Sequence, residues 1–214
     1  MASAYDFPGL YDYLTRFSGR DEVLERVARE TSELPDAGML SRADQGGLLT
    51  ILALMVDAKV AIEVGTFTGY GAICIARGLA PGGTLTCLEV SEEYAEISRR
   101  NIASAGLDDR VTVQLGPADA ALAQLPREPH VDLAYVDADK TGYPAYYEAL
   151  VPRLRPGGVL VLDNMLLGGR VLDPQEERGR VMAELNERIA ADDRVDAVLL
   201  GLSDGVTLAR KRAT

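Results

Sequence analysis

Residues 60–71 read Val-Ala-Ile-Glu-Val-Gly-Thr-Phe-Thr-Gly-Tyr-Gly, an aliphatic run that meets a carboxylate and then breaks into a glycine-rich turn. So short and so apolar a run predicts a strand buried on both faces, as in a parallel sheet. The same grammar returns in Thr84 to Val90, Val111 to Leu115, Val131 to Val136 and Val159 to Leu162, with helical patterns between them. Strand alternating with helix predicts parallel strands joined by right-handed crossovers. Two last runs, Val195 to Leu202 and Val206 to Ala209, flank Ser203-Asp204-Gly205 and predict a terminal antiparallel hairpin.

Upstream of the first strand the pattern is helical. Leu10, Tyr13, Leu14 and Phe17 recur at three- and four-residue spacing, followed by Val23, Leu24 and Val27 and a third run from Leu48 to Val56. The expected architecture is α/β: a mostly parallel seven-stranded sheet, a C-terminal antiparallel hairpin and an N-terminal helical layer. A single domain over 1–214 is expected, with helices in 1–58 and the sheet in 59–214.

Composition narrows the function. The 214 residues carry 22 Lys plus Arg against 33 Asp plus Glu, a net charge of −11 that repels a phosphate backbone. Neither nucleic acid nor an anionic membrane surface is an expected partner. No apolar stretch reaches the ~20 residues of a membrane span, and Met1 to Leu10 lacks the pattern of a secretion signal. Cys74 and Cys87 sit singly in apolar runs, without zinc spacing, which suits a reducing cytoplasm.

In open α/β sheets, ligands bind beyond the carboxyl ends of the strands. Here those ends carry Glu63 with Gly65, Glu89, Gly116, Asp137 with Asp139, and Asp163 with Asn164. The turn after Glu63 has neither dinucleotide G-x-G-x-x-G spacing nor the Gly-Lys-Ser/Thr of a P-loop. By itself it is compatible with any tight strand-to-helix connection. Glu63 is placed to meet a cationic group, and Glu89 to accept a ribose diol. A ligand with ribose but no phosphate fits these better than a nicotinamide dinucleotide, and S-adenosylmethionine (SAM) is such a ligand.

The chain resembles the metal-dependent, Rossmann-like class I SAM O-methyltransferases of the caffeoyl-CoA and catechol type. The resemblance runs from about Met39 onward. It is carried by Ser41-Arg42-Ala43-Asp44-Gln45-Gly46, the 62–70 turn, Val136-Asp137-Ala138-Asp139-Lys140, Leu162-Asp163-Asn164 and the closing Ser203 to Arg210. It implies SAM contacts from Ser41, Glu63, Gly65, Thr66, Gly71, Glu89, Ala118 and Asp139, a catalytic role for Lys140 and a homodimer. Two positions depart from the family pattern: Gly71, where Ser is frequent, and Gly47, where a larger residue is usual.

Asp137 and Asp163 end consecutive strands, and if these are neighbours their axes lie ~4.8 Å apart, within reach of one ion. With the Asn164 amide they form an all-oxygen set suited to Mg²⁺, with Ca²⁺ and Mn²⁺ as alternatives. Read as helix caps or solvated strand ends, the same carboxylates would be structural. A substrate with vicinal hydroxyls would chelate the ion, Asp137 would hold it, and Lys140 would take the hydroxyl proton. The expected activity is methyl transfer to one hydroxyl of a catechol-like or other phenolic small molecule. A metal-independent SAM methyltransferase and a noncatalytic adenosyl-binding module remain alternatives, with a nicotinamide oxidoreductase more distant. His130, before the fourth strand, lies at the wrong end for catalysis. Tyr143, Tyr146 and Tyr147 read as packing residues and Arg170 as a solvated residue in a 165–174 loop able to wall the acceptor site; the resemblance puts Met39 close to the transferring methyl, and a core position reads equally well.

Overall fold

The computed structural model describes residues 9–19 and 21–213. Met1–Pro8, which open the expected helical layer and contain most of the segment read for a secretion signal, lie outside them.

The N-terminal layer consists of α1 (Leu10–Thr15), α2 (Glu22–Thr31) and α3 (Ala43–Met55). Asp21 starts α2 by accepting the main-chain N–H groups of Val23 and Leu24 at 3.1 and 3.0 Å. Helix α2 buries Leu24 and Val27, and α3 buries Leu49, Leu52 and Ala53, while α1 buries nothing. The alternating part then runs β1 (Val60–Val64), α4 (Tyr70–Gly78), β2 (Thr84–Glu89), α5 (Glu92–Ser104), β3 (Val111–Leu115), α6 (Ala118–Gln124), β4 (Val131–Val136), α7 (Tyr143–Leu150) and β5 (Leu154–Leu162). Helix α8 (Glu177–Ala191) and the hairpin β6 (Val195–Leu200) and β7 (Val206–Lys211) complete it.

The sheet order is β3-β2-β1-β4-β5-β7-β6. Strands β1 to β5 are parallel, and β7 runs antiparallel between β5 and β6. From β1 the chain builds outward to β3, then returns to place β4 on the other side. The resulting switch point between β1 and β4 opens a crevice at their carboxyl ends. Every residue of β4 is buried, because helices cover both faces of the sheet. One face packs on α2 to α5 through Ile73, Leu133, Tyr135 and Val161; the other packs on α6 to α8 through Val136, Leu150, Leu162 and Leu185.

Strand β5 starts at Leu154, five residues before the aliphatic run that predicts it. Pro156-Gly157-Gly158 reads as a turn, but the chain stays in the sheet with a register shift opposite Val131 and Leu133 and with Gly157 at φ 83°. Likewise α3 starts at Ala43 rather than Leu48, and β6 ends at Leu200 rather than Leu202. Among the described residues no helix is long and apolar enough to cross a membrane.

Candidate active site

The carboxyl ends of β1, β2, β4 and β5 surround a cavity of about 1030 Å³. Each of the twelve residues expected to contact SAM, hold the cation or act in catalysis lines it. His130 does not: it is at the opposite end of β4, with Nδ1 2.8 Å from the Glu128 carbonyl. Arg170 keeps its guanidinium on the Leu167 carbonyl at 3.2 Å, outside the cavity wall. Gly47 packs against the main chain of Ser18 and is likewise no part of the wall, whereas Met39 lines the cavity and is exposed, not core.

The glycine turn is pressed onto the neighbouring strand end. Gly65 has φ 86°, and a Cβ there would lie 2.1 Å from the carbonyl oxygen of Asp137, so only glycine allows the β1 turn and the β4 exit to meet. Behind the turn, Glu63 is 1% exposed and accepts a short hydrogen bond from the Thr66 hydroxyl. Burial pushes its carboxyl pKa up to about 8; Thr66 and Cys87 as donors pull it down, and the charges of Asp137 and Glu89 add to the rise.

Glu89 is more committed than its position after β2 suggests. Oε2 accepts the N–H groups of Thr66 and Phe67 at 3.1 and 2.8 Å, and Oε1 those of Val90 and Ser91 at 2.9 Å each. These take up the roughly four lone-pair sites of a carboxylate. A ribose diol would have to share or displace them. Asp139 is also engaged within the protein. It accepts the Gly142 N–H at 2.8 Å at the start of α7, and the Tyr146 hydroxyl at 2.6 Å.

Opposite the glycine turn, β4 and β5 are neighbours in the register Val136 to Leu162, which sets Asp137 and Asp163 side by side at the strand exits. Asp163 is 3% exposed. Burial and the charge of Asp137 raise its pKa to about 6, against hydrogen bonds from Gln45 and the Asn164 N–H and the attraction of Lys140. Two crowded carboxylates and an amide, with Asn164 at φ 55°, form a hard, all-oxygen donor set that fits a cation such as Mg²⁺. Among the described residues no three His, Cys, Asp or Glu side chains form a group that could hold a metal ion, so a cation here would draw on an amide oxygen such as that of Asn164.

Lys140 lies on the same wall. Its Nζ donates to Asp137 Oδ1 at 3.0 Å and to the Tyr143 hydroxyl at 2.8 Å. The Tyr143 hydroxyl in turn faces the carbonyls of Val136 and Asp163, each at 3.1 Å. Tyr143 and Tyr146 are therefore more than packing residues: one orients the lysine and the other holds Asp139. Their spacing was the available signal, three residues after Lys140 and seven after Asp139. Tyr147 is fully buried and does pack, with its hydroxyl on Asp192 at 2.8 Å.

Comparison with known proteins identifies the family. A family model described as O-methyltransferase matches residues 15–212. Catechol O-methyltransferase domain-containing protein 1 of Mus musculus is 38% identical over 94% of this chain and 79% of that protein. Caffeoyl-CoA O-methyltransferase 2 of Zea mays is 34% identical over 94% and 82%. Among solved structures, an O-methyltransferase from Bacillus cereus in complex with SAH superposes with a TM-score of 0.86 at 33% identity, covering 98% of this chain and 100% of that one. The O-methyltransferase TomG from Streptomyces achromogenes, in complex with SAM, gives a TM-score of 0.87 at 31% identity and full coverage of both chains.

Proposed function

This chain belongs to the O-methyltransferase family and is a methyltransferase enzyme, and from that premise we propose that it moves the methyl group of SAM to one hydroxyl of a catechol-like small molecule in a divalent-cation-dependent reaction. The observation that carries the reading is the gathering of Asp137, Asp163, Asn164 and Lys140 on one wall of a cavity whose other wall is the glycine turn.

In this reading the donor lies against Gly65, Thr66 and Gly71, with Glu63 facing its ammonium and Glu89 and Asp139 toward its adenosine, joined by Ser41 and Ala118. Asp137, Asp163 and Asn164 would hold the cation. When bound, the ion lowers the pKa of a coordinated phenol, which ordinarily lies near ~10. Lys140 receives the hydroxyl proton at Nζ, while Tyr143 keeps that nitrogen at the reacting oxygen. The oxygen then attacks the methyl carbon as the S–CH₃ bond breaks, leaving a neutral thioether. Because the opposite charges of phenolate and sulfonium cancel in this step, alignment of donor and acceptor is the protein's main contribution.

The test is a panel of vicinal diols and their mono-hydroxyl analogues, assayed with SAM with and without Mg²⁺. Methylation confined to the diols and dependent on the cation is expected. Activity that survives exhaustive chelation would move the chain to a metal-independent reaction, and SAM binding without turnover of any acceptor would favour an adenosyl-binding module. A homodimer and a cytoplasmic location are part of the same proposal, testable by sedimentation and by fractionation.

A further inference from the structure

Resting on the reading of Asp163 as a cation ligand, we propose that Tyr135 and Gln45 are positioning residues that lock the Asp163 carboxylate in its ligating orientation. Cation affinity is then set behind the ligand as well as by it. Gln45 comes from α3 and Tyr135 from β4, and each is 1% exposed. Gln45 Nε2 donates to the Tyr135 hydroxyl at 3.1 Å, and that hydroxyl donates to Asp163 Oδ2 at 3.2 Å. The other oxygen, Oδ1, accepts the Asn164 N–H at 2.6 Å. Both oxygens of the carboxylate are thereby held, which fixes its rotation.

Sheet geometry explains the reach. Tyr135 pairs with Val161 across β4 and β5, and Asp163 follows Val161 by two residues, so it is a diagonal neighbour within range of a long aromatic side chain. The surroundings are aliphatic: Tyr135 packs in the same cluster as Ile73, Leu133 and Val161. A phenol hydroxyl and a carboxamide are unfavourable there unless their hydrogen bonds are made, and a phenylalanine would fill the same space. What the two polar groups add is their grip on Asp163. Asp137 contrasts with it, being held by the Lys140 ammonium, a partner it can exchange for another cation. Asp163 is thus the preset ligand and Asp137 the one that changes partners on binding. Groups that orient metal ligands in this way typically alter affinity by about 10–100-fold when removed.

The experiment titrates metal-free protein with Mn²⁺ alone and follows bound ion by electron paramagnetic resonance, in the wild type, Tyr135→Phe, Gln45→Met and Asp163→Asn. Asp163→Asn should lose the site. Tyr135→Phe should bind about tenfold more weakly and give a changed bound-ion spectrum. Gln45→Met should shift the affinity in the same direction, and it decides the matter if Tyr135→Phe does not fold. Loss of the site in Asp163→Asn together with wild-type affinity in the folded Tyr135 or Gln45 variant would overturn the positioning role alone. Undiminished Mn²⁺ binding by Asp163→Asn would instead overturn the cation site on which it rests.

Discussion

Lys140 Nζ sits 3.0 Å from Oδ1 of Asp137, its neighbour three residues earlier in the same strand exit. The pair joins the expected proton acceptor to the expected cation ligand. Replacing Lys140 with Met keeps the aliphatic stem and removes the base. Turnover should fall by about 10²–10⁴-fold, with SAH affinity little changed. Tyr143→Phe, which loosens the lysine without removing it, should give a smaller loss in the same direction. Steady-state kinetics with a good diol acceptor, alongside calorimetric SAH titration, separate the two effects; unchanged turnover in Lys140→Met would remove the lysine from the chemistry.

Removing the cation should silence the enzyme and leave its fold intact, because Asp163 is held by Tyr135 and Asn164 without it. Dialysis against a chelator is expected to abolish diol methylation, and Mg²⁺ or Mn²⁺ to restore it. Asp163→Asn should not be restored at any practical Mg²⁺ concentration, since it replaces one of the two proposed charged ligands. Full activity of that variant would leave the acidic pair as a structural feature of the strand ends.

How much of this was legible in the sequence depended on whether a residue's role is local. The β1 and β4 runs match their strands end to end because burial on both faces leaves a continuous apolar signature. The strand-end carboxylates were legible for a related reason: polar groups directly after such runs stand at the crevice by topology alone. The first five residues of β5 were hidden, since Pro156-Gly157-Gly158 carries a turn signature and only pairing with β4 keeps it extended. Gln45 and Tyr135 were hidden more deeply. They meet across ninety positions of sequence, and a tyrosine inside an apolar run looks like core. Glu89 and Asp139 show the converse: their positions point to a ligand, yet their oxygens are largely engaged with the loops they organise.

The raised pKa of Glu63 carries a sign that can be checked. In the unfolded chain this carboxyl ionises near its ordinary 4.5, whereas in the fold it holds its proton to about 8. The folded state therefore binds more protons between these values, and its contribution to stability is complete below 4.5 and lost as pH rises through 8. Ligand-free protein should lose stability across pH 4.5–8, and Glu63→Gln should flatten that slope. Asp163, raised to about 6, contributes in the same sense at the lower end. Binding an ammonium reverses the preference, because it favours the ionised carboxylate. SAH titrations at pH 7 in buffers of different ionisation enthalpy should show a fraction of a proton released by the wild type and none by Glu63→Gln. Equal proton release by both would separate Glu63 from the ligand.

Gly71 departs from the pattern expected of the family, and the packing around Glu63 gives a reason. A Cβ at Gly71 would lie 2.5 Å from Glu63 Oε1 and 3.4 Å from the Tyr135 ring. The carboxylate occupies the space that a side chain would need, and Thr66 holds its other oxygen in place. Gly71→Ser must then either strain this arrangement, at a cost of about 1–3 kcal/mol, or drive Glu63 out of its buried position toward the cavity. The two results are distinguishable. Strain lowers the thermal midpoint and leaves the pH slope of stability in place; displacement removes most of that slope, because a carboxyl returned to water titrates near its ordinary value. A variant with both the midpoint and the slope of the wild type would show that the Glu63 carboxylate is not confined by Gly71, and that the glycine is not matched to it.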